Sequence, residues 1–140
     1  MNSINNINFL NWNARSLKAN ENDFLNYLQV HNVHIAIITE TFLKSNVKLK
    51  SHPYYVVHRF DRITGAGGGV AIVIHRRIKH QVLPSFNMKV FECLGIEVNT
   101  GLGKLTVVAA YLPFQCTGDL KNFLKGDLQK LTRKKKFNYR

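Results

Sequence analysis

His34–Glu40 reads HIAIITE: four apolar residues in a row, Ile35-Ala36-Ile37-Ile38, closed by Thr39 and Glu40. The run is too short for a helix and rich in β-branched residues, so it predicts a strand buried on both faces. Upstream, residues 20–32 place Phe24, Leu25 and Leu28 at helical spacing. Asn20 or Asn22 can cap the start of that helix and Asn32 can end it. Before it, Ile7 to Trp12 (INFLNW) is a second short apolar run and reads as another buried strand. The unit is strand–helix–strand, and its short connections favour parallel neighbours with a right-handed crossover.

Downstream the pattern changes. Tyr54 to Phe60 (YYVVHRF) and Val70 to His75 (VAIVIH) are β-type runs on either side of Gly65-Ala66-Gly67-Gly68-Gly69. They predict an antiparallel pair around a flexible turn. Phe91 to Val98 and Lys104 to Leu112 flank a second turn at residues 99–103. A helical stretch over 119–131 puts Leu120, Phe123, Leu124, Leu128 and Leu131 on one face. The fold class is therefore α/β with a mixed, largely buried sheet.

The 140 residues suffice for one domain, and 45% hydrophobic composition is that of a globular chain. No apolar run approaches the roughly 18 residues of a membrane span, and the asparagine-rich start is a poor signal peptide. The expectation is a soluble intracellular protein with no membrane contact. Cys93 and Cys116 form no CxxC and stand near no paired histidines, so neither a zinc site nor a disulfide is argued. Twenty Lys and Arg against eight Asp and Glu leave a net charge of +12. Such a field attracts polyanions, of which nucleic acid is the commonest in a cell. Residues 133–140 read as a basic tail, carrying Arg133, Lys134, Lys135, Lys136 and Arg140.

Three strands end in a polar residue at the carboxyl edge, where α/β sheets gather their ligands: Asn13, Glu40 and Tyr111. Glu40 follows a dry run, so its carboxylate needs a cation or strong donors. One carboxylate with substrate phosphates is a common way to hold Mg²⁺; an ion pair with a basic side chain is the alternative. Asn13 can hold a phosphate oxygen or cap the following turn. Tyr111 can donate to a phosphate or simply pack in its strand. The glycines match neither GxGxxG nor GxxxxGK[ST], so no nucleotide loop is expected. Arg59, Asp61 and Arg62 before them are candidates for a polyanion-facing edge. The six histidines show no metal-ligand grouping, and no Ser-His-Asp order is arguable.

Four segments in order, NWNARSL at 11–17, ITETFL at 38–43, GGGVAI at 67–72 and AYLP at 110–113, resemble the endonuclease/exonuclease/phosphatase superfamily. The similarity is greatest to the endonuclease domain of jockey-like non-LTR retrotransposons, and RFDR at 59–62 fits that subgroup. The resemblance spans residues 7–132. It implies a four-layer α/β sandwich, two mixed sheets flanked by helices, with residues 1–132 as a truncated N-terminal part of the domain. It implies Mg²⁺-dependent hydrolysis of DNA phosphodiesters, with Mn²⁺ as a substitute, no small-molecule cofactor and a nuclear place of work. On the matching positions, Glu40 would bind the metal, Asn13 would stand near the nucleophile-activating group, and Tyr111 would contact the scissile phosphate. The family pattern continues to a Gly-Asp-Phe-Asn strand end and a Ser-Asp-His segment, which these 140 residues do not include. The fragment is therefore expected to be inactive alone and, lacking a covering second sheet, poorly soluble. A phosphatase or DNA-repair enzyme of the same superfamily, and a non-catalytic basic nucleic-acid-binding module, are the other functions these features allow. Oligomeric state is left open.

Overall fold

The computed structural model describes residues 6–88, 90–113 and 125–130. Seven strands are found among them, with one long helix near the start. Strand β1 (Phe9–Asn13) leads through a single 3₁₀ turn into helix α1 (Glu21–Val30), and β2 (Ile35–Thr39) follows. Then come β3 (Tyr55–Phe60), β4 (Val70–His75), β5 (His80–Val82), β6 (Glu92–Thr100) and β7 (Gly103–Tyr111). The first sheet has the order β1-β2-β4-β3, and a second has the order β5-β6-β7.

As expected, β1 and β2 are parallel, with Asn13 beside Thr39, while β3 and β4 pair antiparallel around the glycine-rich loop. Strands β2 and β4 occupy the centre, which explains why both sequences are apolar throughout. Ala36, Ile38, Ala71 and Val73 face α1, where they meet Phe24 and Leu28. Ile35, Val70, Ile72 and Ile74 face the second sheet, where they meet Ile96, Val98, Val107 and Ala109. Two-residue periodicity sends alternate side chains to opposite faces, and here both faces are covered. Each fully buried Ile contributes roughly 1.5–3 kcal/mol of burial.

Three expectations need correction. The covering second sheet is not missing: β6 and β7 leave the first sheet and pack across it, so the interior face of β2 and β4 is dry. This removes the premise for an exposed apolar face. Strand β1 is not buried, because it is the edge of its sheet, and Phe9 is 49% exposed. Strand β5, only three residues long, was too short to be read from its sequence.

The opposite face of the second sheet is covered over β6, where Cys93 and Gly95 are buried, while Lys104 and Ala110 of β7 are exposed. Cys93 and Gly95 lie on the side of β6 turned away from the first sheet. Helical residues 125–130 bring the buried Asp127 against the segment leading into β6, where its carboxylate accepts from the backbone N–H groups of Val90 (2.7 Å) and Phe91 (3.1 Å). Burial, and then the Asp127 charge, push the Cys93 thiol up to about 11, which makes it an inert packing residue. Helix 125–130 lies within the expected helix 119–131; the rest of that stretch, Cys116 and the basic tail 133–140 fall outside the described residues. No described helix is long and apolar enough to cross a membrane.

One contact between the sheets is titratable. Nε2 of His58 on β3 lies 2.8 Å from Nε2 of His80 on β5. His80 Nδ1 is 2.8 Å from the Ile78 carbonyl, so this nitrogen carries the proton and donates to it. His80 Nε2 is then the acceptor and His58 the donor. Burial, and then the neighbouring His80, lower the pKa of His58. A histidine lowered on folding is held neutral, so the unfolded chain takes up the proton first. Stability is full above the ordinary histidine range near 6.5 and falls as pH drops through the lowered folded value. Urea melts at pH 7.5 and 5.5 are expected to show a loss on acidification that is smaller in His58→Gln than in the wild type. Equal losses would exclude His58 as a contributor.

Candidate active site

The carboxyl ends of β1, β2, β3 and β7 meet at one pole of the sandwich, together with the starts of β4 and β6. The loops there are zipped together by backbone hydrogen bonds. Ser16 N–H donates to the Glu40 carbonyl at 3.1 Å, Thr41 N–H to Gly69 at 3.2 Å, and Phe42 N–H to Gly68 at 2.9 Å. This register leaves no room at Gly69. Its φ is +86°, and a Cβ there would collide with Oγ1 of the buried Thr41. The glycine run is thus needed for close backbone approach as well as for a turn.

Glu40 leaves β2 with φ +52°, and Phe42, Arg15 and Ser16 nearby also have positive φ. Such backbone is costly for residues other than glycine, at about 1–3 kcal/mol each, and it collects where function constrains the chain. The turn aims Glu40 across the gap between the sheets. Tyr111 ends β7 on the interior face of the second sheet, and its hydroxyl donates to Glu40 Oε1 at 2.8 Å. This hydrogen bond, then burial and the Glu40 charge, raise the Tyr111 pKa, so the phenol remains a proton donor at neutral pH. Both residues are half-buried.

Asn13 is exposed. It lines a groove of ≈420 Å³ with Asn11, Thr39 and Tyr111. Sequence-expected Glu40 and Tyr111 are therefore in direct contact, and Asn13 shares the groove with Tyr111 but bonds to neither among the described residues. Glu40 makes no ion pair among the described residues, in a chain of net charge +12. Its contact there is to a neutral phenol instead.

The arginines expected to face a polyanion point inward. Arg59 is held by Asp61 (2.7 Å) and by the carbonyls of Val47 (2.7 Å) and Lys44 (2.8 Å). Arg62 is held by Glu92 (2.6 Å) and the Ala66 carbonyl (2.8 Å). Their donors are used in folding the loops, which leaves little to offer a ligand. Glu92 itself was not anticipated. It is buried, lies opposite Tyr111 in the β6–β7 pair, and accepts the Gly69 N–H at 2.5 Å besides Arg62. The only sequence signal was an acid at the head of an otherwise apolar β run.

The donor set suits a hydrated divalent cation. Glu40 Oε1 is engaged by Tyr111, and its second oxygen has no partner among the described residues. A single carboxylate together with substrate phosphates is enough for Mg²⁺, which keeps most of its waters. It is not enough for a closed, all-protein metal cage, and no group of three His, Cys, Asp or Glu that could form one exists among the described residues.

No family model matches the chain. It is similar to the RNA-directed DNA polymerase from mobile element jockey of Drosophila melanogaster, 26% identical over 102 residues, covering 73% of this chain and 11% of that protein. It is also similar to the probable RNA-directed DNA polymerase from transposon BS of Drosophila melanogaster, 27% identical over 110 residues, covering 77% of this chain and 12% of that protein. The chain thus spans about a tenth of the length of these relatives. Among solved structures, the endonuclease domain of TRAS1, a telomere-specific non-LTR retrotransposon, superposes with a TM-score of 0.67 at 14% identity, covering 92% of this chain and 53% of that one. In sequence the chain is similar to the polymerase proteins of the mobile element jockey and of transposon BS, and in fold it matches about half of the endonuclease domain of a non-LTR retrotransposon.

Proposed function

We propose that the Glu40–Tyr111 pair, with the groove beside it that Tyr111 and Asn13 line, is part of the metal- and phosphate-binding site of a DNA phosphodiester-hydrolysing domain of the endonuclease/exonuclease/phosphatase type. The observation that carries this is Glu40, a half-buried carboxylate on strained backbone, without a cationic partner among the described residues, and oriented by Tyr111. Glu40 would hold Mg²⁺, or Mn²⁺ in its place, through the carboxylate oxygen that Tyr111 leaves open. When bound, the ion supplies charge stabilisation to a phosphate undergoing displacement. Tyr111, kept protonated, orients Glu40 through its one hydroxyl proton, and a phosphate oxygen arriving in the groove would compete with Glu40 for that proton. Asn13 offers an amide donor from the facing strand end. Work on chromosomal DNA would place the activity in the nucleus.

Water activation is the part these residues do not supply. Glu92 is occupied by Arg62 and Gly69, and no other carboxylate or imidazole among the described residues bonds into the Glu40–Tyr111 pair. Loss of a positioned general base typically costs ~10²–10⁴ in rate. The 140-residue chain is therefore expected to bind Mn²⁺ but not to nick DNA. Free Mn²⁺ followed by electron paramagnetic resonance should show binding that weakens at least about tenfold in Glu40→Gln. Supercoiled plasmid with Mg²⁺ should stay intact. Unchanged Mn²⁺ binding in Glu40→Gln would overturn the metal assignment, and nicking abolished by that substitution would overturn the expected inactivity. The net charge of +12 favours one other reading, a basic module that binds nucleic acid without cleaving it. Salt-sensitive DNA binding indifferent to Mg²⁺ and to Glu40 would favour it.

A further inference from the structure

The other pole of the first sheet carries a second polar pocket. Strand β2 begins there and β4 ends there, so it lies about 16 Å, five strand residues, from Glu40. The pocket has a volume of ≈580 Å³, within the range of small-ligand sites, and its wall includes His34, Tyr54, His75, Arg76 and Arg77. Among the described residues no acidic side chain lines it.

Its chemistry is one-sided. Nδ1 of His34 accepts the Asn8 N–H at 2.9 Å, Nδ1 of the adjacent His52 accepts that of Tyr54 at 3.1 Å, and Nδ1 of His75 accepts that of Arg77 at 3.2 Å. A ring nitrogen that accepts carries no proton, so each imidazole holds its proton on Nε2 and has a donor to offer. Arg76 is fixed by two hydrogen bonds to the His52 carbonyl, at 3.0 and 3.3 Å. The exposed Arg77 guanidinium has no acidic partner among the described residues. The aromatic content is equally marked. Tyr54 is 54% exposed, lies nearly parallel to His75 (11° between planes), and sits 5.8 Å from His52 between ring centres. Tyr55 behind them is held by its hydroxyl, whose one proton is shared between the carbonyls of Val33 (2.8 Å) and Leu28 (3.1 Å), so the wall is rigid.

Donors without acids select an anion, and an exposed ring on a fixed wall selects a flat partner. We propose that this pocket binds a nucleoside monophosphate unit, with its phosphate at Arg77 and Arg76 and its base against Tyr54. The unit can come from a free nucleotide or from the end of a single strand, since both present the same groups. The proposal is independent of the metal site.

The test uses the 140-residue chain without Mg²⁺ at 150 mM salt, with a 3′-labelled, 5′-phosphorylated thymidine hexamer followed by fluorescence anisotropy. Tyr54→Ala and Arg77→Gln are each expected to weaken binding about tenfold. Lys48→Gln, which removes an exposed charge elsewhere, should stay within twofold. Thymidine monophosphate should displace the hexamer, while thymidine and inorganic phosphate at the same concentration should not. A hexamer that binds no tighter than the monophosphate points to free nucleotide as the natural source, and one that binds much tighter points to a strand end. Both Tyr54 and Arg77 are exposed, so their variants should fold. Binding unaffected by Tyr54→Ala, or weakened equally by Arg77→Gln and Lys48→Gln, would show only the attraction of a basic surface and would overturn the proposal.

Discussion

Glu40→Gly should abolish Mn²⁺ binding yet leave the stability of the chain close to that of wild type, whereas Glu40→Ala should abolish binding and lose about 1 kcal/mol of stability. The argument starts from the backbone. Glu40 has φ +52°, a conformation that costs a residue with a Cβ about 1–2 kcal/mol and glycine almost nothing. Glycine removes that strain but adds roughly 0.5–1 kcal/mol of unfolded-state entropy. Either substitution also gives up the Tyr111 hydrogen bond, worth about 1 kcal/mol net. Alanine gives up the hydrogen bond and keeps the strain. The glycine variant should therefore be the more stable of the two by about 1 kcal/mol, read from paired urea melts. The Ser16 N–H to Glu40 carbonyl bond is common to all three chains and drops out of the comparison. If the two variants melt together, the turn at Glu40 stores no strain, and the case for a functionally constrained backbone weakens with it.

Glu40 also marks how far the sequence could be read. Its place after an apolar run was legible, because β2 is buried on both faces and the first polar side chain beyond it must leave the core. The same logic located β4, and the glycine run between two β-type segments located the antiparallel pair. What Glu40 touches was not legible. Tyr111 is 71 residues away on a different sheet, and nothing in either strand states that they converge. From the residues alone the division into two sheets was hidden for the same reason; the resemblance implied it, and the two sheets are found. Strands β6 and β7 announce themselves as a hairpin, but whether a hairpin joins an existing sheet or lies across it is decided by packing between distant faces, here Ile96, Val98, Val107 and Ala109 on Ile35, Ile72 and Ile74. Arg59 and Arg62 were misjudged because a basic side chain in a loop looks solvent-facing until the carbonyls and carboxylates around it are placed. The roles of Asn13, Glu40 and Tyr111 came from the resemblance; the structure supplies their positions.

Glu92→Ala should destabilise the chain by about 3 kcal/mol, more than any of the Glu40 changes. Glu92 is 9% exposed and uses both carboxylate oxygens, one for Arg62 at 2.6 Å and one for the Gly69 N–H at 2.5 Å. Alanine strands a guanidinium that is itself only 24% exposed, and leaves a buried N–H without an acceptor. Glu92→Gln should cost less, about 1–2 kcal/mol, because an amide oxygen can still accept from Gly69. In a double-mutant cycle, adding Arg62→Ala to Glu92→Ala should recover part of the loss, since the stranded charge goes with it. Additive losses would mean that the Gly69 contact alone carries the effect. The consequence reaches the groove, because Gly69 also accepts from Thr41, the residue after Glu40, and Glu92 stands opposite Tyr111. Glu92 thus ties the glycine loop of the first sheet to the second sheet at the pole where Glu40 and Tyr111 meet. With the charge of Glu92 met by Arg62, Glu40 is the one of these two carboxylates that makes no ion pair among the described residues.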